Sequence, residues 1–274
     1  MAFQPRFHVI AKVFKIGSPY PLTTRFPLKT YGRFELGGQR VRSVLLQGLF
    51  AERGDFAGAD AVAIDMRGDR LSETANMENA VQAFVRRMGT QTTPPALLAL
   101  VPQAHDTEAL TLALALIVPR EPDAILLCGA TCGADVQKAD VMLSVEEAKA
   151  GRVVGRTAIL ALAGDNPTGP LSAMSFAGKS GRLAALAWSP TALAANLGVV
   201  ASLDSMPLPC GLATARGLIL LGAASAGVSA IDWLGAEADE DRVSEACRTA
   251  LRDGFSAMIC ERPEQVATVN RLFS

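Results

Sequence analysis

From Arg42 onward the chain repeats one pattern: a short apolar run, then a longer segment whose apolar residues fall at helical spacing. The runs at 43–47, 61–66, 96–101, 124–128, 157–163, 183–188, 229–233 and 257–260 read as strands. They are almost continuously apolar rather than alternating, the form a parallel strand takes when both of its faces are covered. Between them, residues 75–88, 107–118, 136–150, 212–226, 240–252 and 263–272 have helical length and composition. Asp106 and Asp239 stand where N-caps are needed, and Gly89 and Gly151 stand where helices should stop. The first strand has no well-defined helix after it.

Eight strand-then-helix units predict a closed TIM (β/α)8 barrel. An open dinucleotide-binding sheet is the competing architecture, but it needs a glycine-rich phosphate turn after an early strand, and residues 47–54 do not supply one. Ahead of the barrel, Pro5, Pro19, Pro21 and Pro27 with Gly17, Gly32, Gly37 and Gly38 repeatedly interrupt regular structure. Residues 1–40 are therefore expected to form an irregular arm packed on the barrel, and 41–274 the barrel domain. A second Gly- and Pro-rich section, 164–181, is expected to be irregular as well.

Composition narrows the function classes. Half of the 274 residues are hydrophobic, enough for one large core, and the net charge of -1 gives no bulk field toward nucleic acid or an anionic membrane. Residues 1–17 mix Arg6, His8, Lys12 and Lys15 among apolar residues, unlike a signal peptide. The apolar stretches at 110–118 and 217–231 fall short of the roughly 20 residues that span a bilayer. Five cysteines, an odd number scattered through apolar segments, suit buried thiols in a reducing cytoplasm. The expectation is a cytoplasmic protein that binds neither nucleic acid nor membrane.

Several stretches, in order, carry a resemblance. VRSVLLQG (41–48) looks like a first strand opening with Arg-Ser, and GADAVAIDM (58–66) like a second strand running into an acidic motif. PDAILL (122–127) with Ala134, Asp135 and Val136 follows, then RLAALAW and ALAANLG within 182–198, AGVSAIDWL, and MICERPEQVATVN (258–270). Together they resemble the citrate lyase beta subunit family, also called the HpcH/HpaI aldolase and citrate lyase family. The resemblance implies a TIM barrel that cleaves or forms carbon-carbon bonds of hydroxy acids, often as CoA thioesters, with Mg2+.

The same alignment shows departures. The family's fifth-strand Glu ligand falls on Gly164, with Asp165 one residue later, and its Asp ligand after the sixth strand falls on Ala192. The substrate-holding Arg of the third strand is replaced by Ala99 and Leu100, and the Lys and acidic residue after the fourth by Gly129 and Thr131. Mg2+ wants near-octahedral oxygen ligands including one or two carboxylates, and no Asp or Glu lies between Asp165 and Asp204. Without the Arg, an anionic substrate also loses its bidentate clamp.

The reading is a citrate lyase beta subunit-like protein lacking the standard Mg2+ site, acting as a binding or regulatory homologue for a small organic acid or acyl thioester. Gln47, Arg67, Glu261 and Arg262 are its candidate binding residues. The alternative is a divergent carbon-carbon lyase with Mg2+ on rearranged carboxylates, for which Asp65, Asp69 and Asp165 are candidates. Partners would be a further copy of the chain or an active paralogue. Restoring carboxylates by Gly164→Glu with Ala192→Asp should create a cation site if the backbone geometry is kept.

Other signals read blandly. Residues 176–180, FAGKS, lack the leading Gly of a phosphate loop and read as a surface loop. Cys128 and Cys132 have no second ligand pair for zinc, and with only His8 and His105 a Ser-His or Cys-His centre is poorly supplied.

Overall fold

A computed structural model describes residues 33–49, 56–67, 74–199, 208–236 and 239–274. Its eight barrel strands are β1 (Ser43–Gly48), β2 (Ala61–Asp65), β3 (Ala96–Val101), β4 (Ala124–Leu127), β5 (Ala158–Gly164), β6 (Leu183–Trp188), β7 (Ser229–Leu234) and β8 (Ala257–Cys260). Each pairs in parallel with its sequence neighbour, and β8 pairs with β1, so the sheet closes on itself. The predicted TIM barrel is therefore present.

Helices α1 (Thr74–Gly89), α2 (Thr107–Ile117), α3 (Gly133–Lys149), α4 (Thr168–Leu171), α5 (Pro190–Leu197), α6 (Cys210–Ala226), α7 (Glu240–Asp253) and α8 (Pro263–Leu272) connect the strands. Asp106 and Asp239 cap α2 and α7, accepting from the N–H groups of Ala109 and Arg242. The β5–β6 crossover has no long helix, only the four-residue α4 and a 3-10 turn at Ala173–Phe176. Sequence reading passed over α5, although Ser189 and Pro190 at its start and Gly198 at its end are ordinary helix punctuation.

Strand side chains alternate between two buried layers. Val44, Ala63, Leu98, Leu100, Leu126, Leu160, Leu162, Ile231 and Ile259 fill the barrel interior. Leu45, Ile64, Val101, Leu127, Leu186 and Met258 face outward onto helix residues such as Phe84, Leu114, Val136, Ile219 and Val266. At the lower end, where strands begin, Glu35–Leu36 and Gln39–Arg40 form a hairpin. Gly37 and Gly38 turn it with φ of 56° and 82°, the left-handed pair that a two-residue hairpin loop requires. Phe34, Leu36 and Val41 of this segment join the interior layer. Arg42 fixes the same end with paired bonds of 2.8 Å to Asp60.

Behind the sheet, Arg216 on α6 donates to Asp232 on β7 (2.7 Å) and to Asp253 (2.5 Å), and its guanidinium stacks over Phe255. The indole N–H of Trp188 donates to the same Asp232.

Candidate functional site

Parallel strands share direction, so their C-terminal ends gather at one mouth, where barrel chemistry is normally placed. Alternation then decides which strand-end residues look into it. Asp65 falls in the inward register of Ala61 and Ala63, whereas Gln47 shares the outward register of Leu45, buried to 9% exposure. Trp188 and Cys260 also belong to the outer layer. The residues closing their strands thus share an end of the barrel but not a pocket, and Gln47 lies apart from the other sequence-derived binding candidates. Asp69 lies outside the described residues.

Arg67, the residue after next from β2, folds back on Asp65: its Nε donates to Oδ1 at 3.0 Å and Nη2 to Oδ2 at 2.8 Å. Its side chain remains 41% exposed. The hydrogen bonds to Asp65 raise its pKa, and its charge also reaches Cys128 at the end of β4. Asp165 arrives at the mouth through an irregularity between Leu162 and Gly164 in the pairing of β5 with β6. The N–H of Gly129 donates to its Oδ2 (2.7 Å) and Asn166 to its Oδ1 (2.8 Å), while Asn196 on α5 holds its backbone carbonyl (3.0 Å). Burial raises the Asp165 carboxyl above the usual carboxylate range, against the pull of those donors.

Across the mouth, Trp233 on β7 points inward, and its indole N–H donates to Glu261 Oε1 at 2.6 Å. Sequence reading named Glu261 but missed Trp233, because its inward register depends on the alternation of β7. Arg262 is exposed at the start of α8, and Gln265 accepts from the N–H groups of both Glu261 and Arg262 while donating to the Gly235 carbonyl (2.7 Å).

The positions aligned with metal ligands have little room or chemistry for a carboxylate. A Cβ on Gly164 would lie 2.2 Å from Trp188 Cβ, so a side chain there meets the neighbouring strand rather than the mouth. This corrects the expectation that Gly164→Glu would deliver a ligand. Ala192 lies in the first turn of α5, its N–H donated to Ser189. Among the described residues no group of three or more His, Cys, Asp or Glu side chains is placed to hold a metal ion. Both oxygens of Asp65 and of Asp165 already accept hydrogen bonds, and a divalent ion on Asp65 would face the Arg67 cation.

Several other sequence signals resolve simply. Ser180 of the FAGKS stretch donates to Asp140 (2.7 Å), and Thr131 donates to Asp135 in the first turn of α3. Burial pushes the Cys128 thiol up to about 12, with Arg67 opposing. It is therefore a neutral thiol at pH 7, and Cys247 and Cys260 are buried too, whereas Cys210 is exposed. In a thiol titration of the native protein at pH 7, Cys210 should react first, and Cys128, Cys247 and Cys260 only on unfolding. Rapid labelling of Cys128 in the folded state would contradict this.

No helix among the described residues is long and apolar enough to cross a membrane. A sequence profile of the HpcH/HpaI aldolase/citrate lyase family matches residues 47–263. No curated protein matches in sequence. Among solved structures, RipC from Yersinia pestis is 23% identical, covering 85% of this chain and 95% of its own, with a TM-score of 0.65. CitE from Mycobacterium tuberculosis, in complex with magnesium, acetoacetate and coenzyme A, is 19% identical over 85% of this chain and 80% of its own (TM-score 0.64). Haloferax volcanii malate synthase is 16% identical over 85% and 74% (TM-score 0.68).

Proposed function

The chain belongs to the HpcH/HpaI aldolase/citrate lyase family, and from that premise we propose that it is a binding or regulatory homologue, taking a small organic acid or acyl thioester at its barrel mouth without Mg2+. One observation carries this reading. Both oxygens of Asp65 and of Asp165 accept N–H donors of the protein itself, and the exposed cation beside Asp65 is the Arg67 guanidinium. A guanidinium has five N–H donors, of which Asp65 engages two, so others remain for a ligand carboxylate or thioester carbonyl.

A second reading, a carbon-carbon lyase on rearranged carboxylates, has one observation in its favour. Burial raises the Asp165 carboxyl at the strand-end side of the barrel, where acid-base groups of such barrels are normally placed.

Calorimetry separates the two. Titration with Mg2+ into the millimolar range should show no saturable site, and acetate should bind equally well with or without a chelator and not at all to Arg67→Ala. Stoichiometric Mg2+ binding that disappears in Asp165→Ala would overturn the metal-free reading and establish the second.

A further inference from the structure

The β5–β6 crossover, with its four-residue α4, leaves one sector of the helix ring without a long helix. Among the described residues nine large hydrophobic side chains are exposed, and five of them gather in this sector. Leu171 (80%) and Met174 (79%) stand on the crossover, Leu221 (68%) on α6, and Val141 and Val145 on α3. The crossover is wedged between those two helices. A Cβ on Gly222 of α6 would lie 2.5 Å from Ala173 Cβ, and the N–H of Gly133 at the start of α3 donates to Ser175 Oγ (2.9 Å).

Charge is sparse on the same faces. Between Gly211 and Gly227 the one charged residue is Arg216, 12% exposed and bound to Asp232 and Asp253. The outer face of α3 runs Ala134, Gln137, Val141, Val145 and Ala148, while its Asp135, Lys138 and Asp140 are bonded to Thr131, Thr107 and Arg182. The exposed cations are Lys149, paired with Glu146 at the end of α3, and Lys179 on the crossover. By contrast α7 exposes Asp241, Glu245, Arg248 and Arg252. Gly217 adds a separate sign. Glycine weakens a helix interior, and Gly222 has Ala173 to make room for, but among the described residues nothing lies within 4 Å of where a Cβ on Gly217 would be.

We propose that this sector, the outer faces of α3 and α6 with the crossover between them, is the interface of a twofold homodimer, with Gly217 where the helices approach most closely. The occupant is a second copy because a face nearly free of charge suits itself: the twofold opposes few like charges and strips water from few ions. Nucleic acid would need a run of cations and an anionic membrane a basic rim, and two lysines supply neither. Size agrees as well. Helices of 17 residues are about 25 Å long and three elements side by side span about 30 Å, close to the roughly 800 Å2 that a stable interface takes from each partner.

Sedimentation velocity of the full chain across the micromolar range tests this. The wild type should dimerise, no more weakly at high salt than at low, since no ion pair holds the copies together. Leu221→Glu sets like charges into the twofold interface and should raise the dimer dissociation constant at least about a hundredfold. Gly217→Gln should raise it at least about tenfold by overpacking, although the single helix gains propensity. Arg248→Glu on the charged face of α7 should leave association unchanged. Both interface positions face solvent in the single chain, so lost association with native circular dichroism reports the interface and not the fold. A wild type that stays monomeric, whether or not it settles on anionic vesicles, overturns the proposal. So does a dimer that high salt dissociates or that Leu221→Glu and Gly217→Gln leave intact.

Discussion

Arg182→Ala lowers the unfolding free energy by about 3 to 5 kcal/mol at pH 7, the cost of removing one partner from a buried ion pair. Arg182 stands just ahead of β6, its side chain 5% exposed, and Glu147 on α3 is 2% exposed. The guanidinium donates to both oxygens of Glu147 (3.0 and 2.7 Å), to Asp140 (2.6 Å), to Ser144 (2.9 Å) and to the Thr157 carbonyl (3.0 Å). One side chain thus ties α3 to the starts of two strands. Burial by itself would raise Glu147, but Arg182 and the N–H groups of Thr157 and Gly155 hold its pKa down at about 2. The sign follows directly. A carboxyl lowered from an ordinary 4.5 contributes stability above that value and loses it as pH falls toward 2. In Arg182→Ala the buried carboxylate is left without its cation, so the deficit is greatest at neutral pH and shrinks as acid neutralises Glu147. Urea unfolding of both proteins between pH 7 and pH 3 measures this. A deficit under about 1 kcal/mol at pH 7, the scale of an exposed pair, would show that the pair is not buried in solution. Replacing both partners, as Arg182→Met with Glu147→Leu, should recover much of the loss.

Gly164→Ala should cost at least about 2 kcal/mol, and Gly164→Glu more, because small-to-large changes in a filled layer force the neighbours apart. A Cβ at this position would lie 2.2 Å from Trp188 Cβ, 2.8 Å from Trp188 Cα and 3.3 Å from Ile219 Cγ1. The nearest obstacles are the backbone and Cβ of the adjacent strand, which have no rotamer to change. Displacing Trp188 also loosens its indole N–H bond to the buried Asp232. Ala192→Asp, in the first turn of α5, should be tolerated, since an acidic residue near a helix N-terminus is favourable. Thermal unfolding with near-ultraviolet circular dichroism of the tryptophans distinguishes them. If Gly164→Ala were as stable as wild type, the β5–β6 contact described above would be wrong.

The barrel was legible because burial on both faces makes parallel strands continuously apolar, and every predicted strand overlaps an observed one. That same continuity hides which residues point inward. Gln47 reads from sequence as a binding candidate because it closes a strand, yet it shares the outward register of Leu45, while Trp233, one residue short of its strand end, turns inward. Asp65 and Arg67 were legible because charge after a strand is conspicuous. The shift between Leu162 and Gly164 was not, since it arises from pairing with β6 and leaves no local signal, and it changes Gly164 from an apparent ligand position into a packing contact. Gly129, which donates to the Asp165 carboxylate, and Asn196, which donates to its backbone carbonyl, come from separate segments and reach it only in the folded chain.

The hairpin at 35–40 carries a kinetic consequence. With Phe34, Leu36 and Val41 built into the interior layer, releasing the hairpin would open the lower end of that layer to water, so amide exchange at the strand starts should follow the hairpin's detachment rather than fraying of the strands themselves.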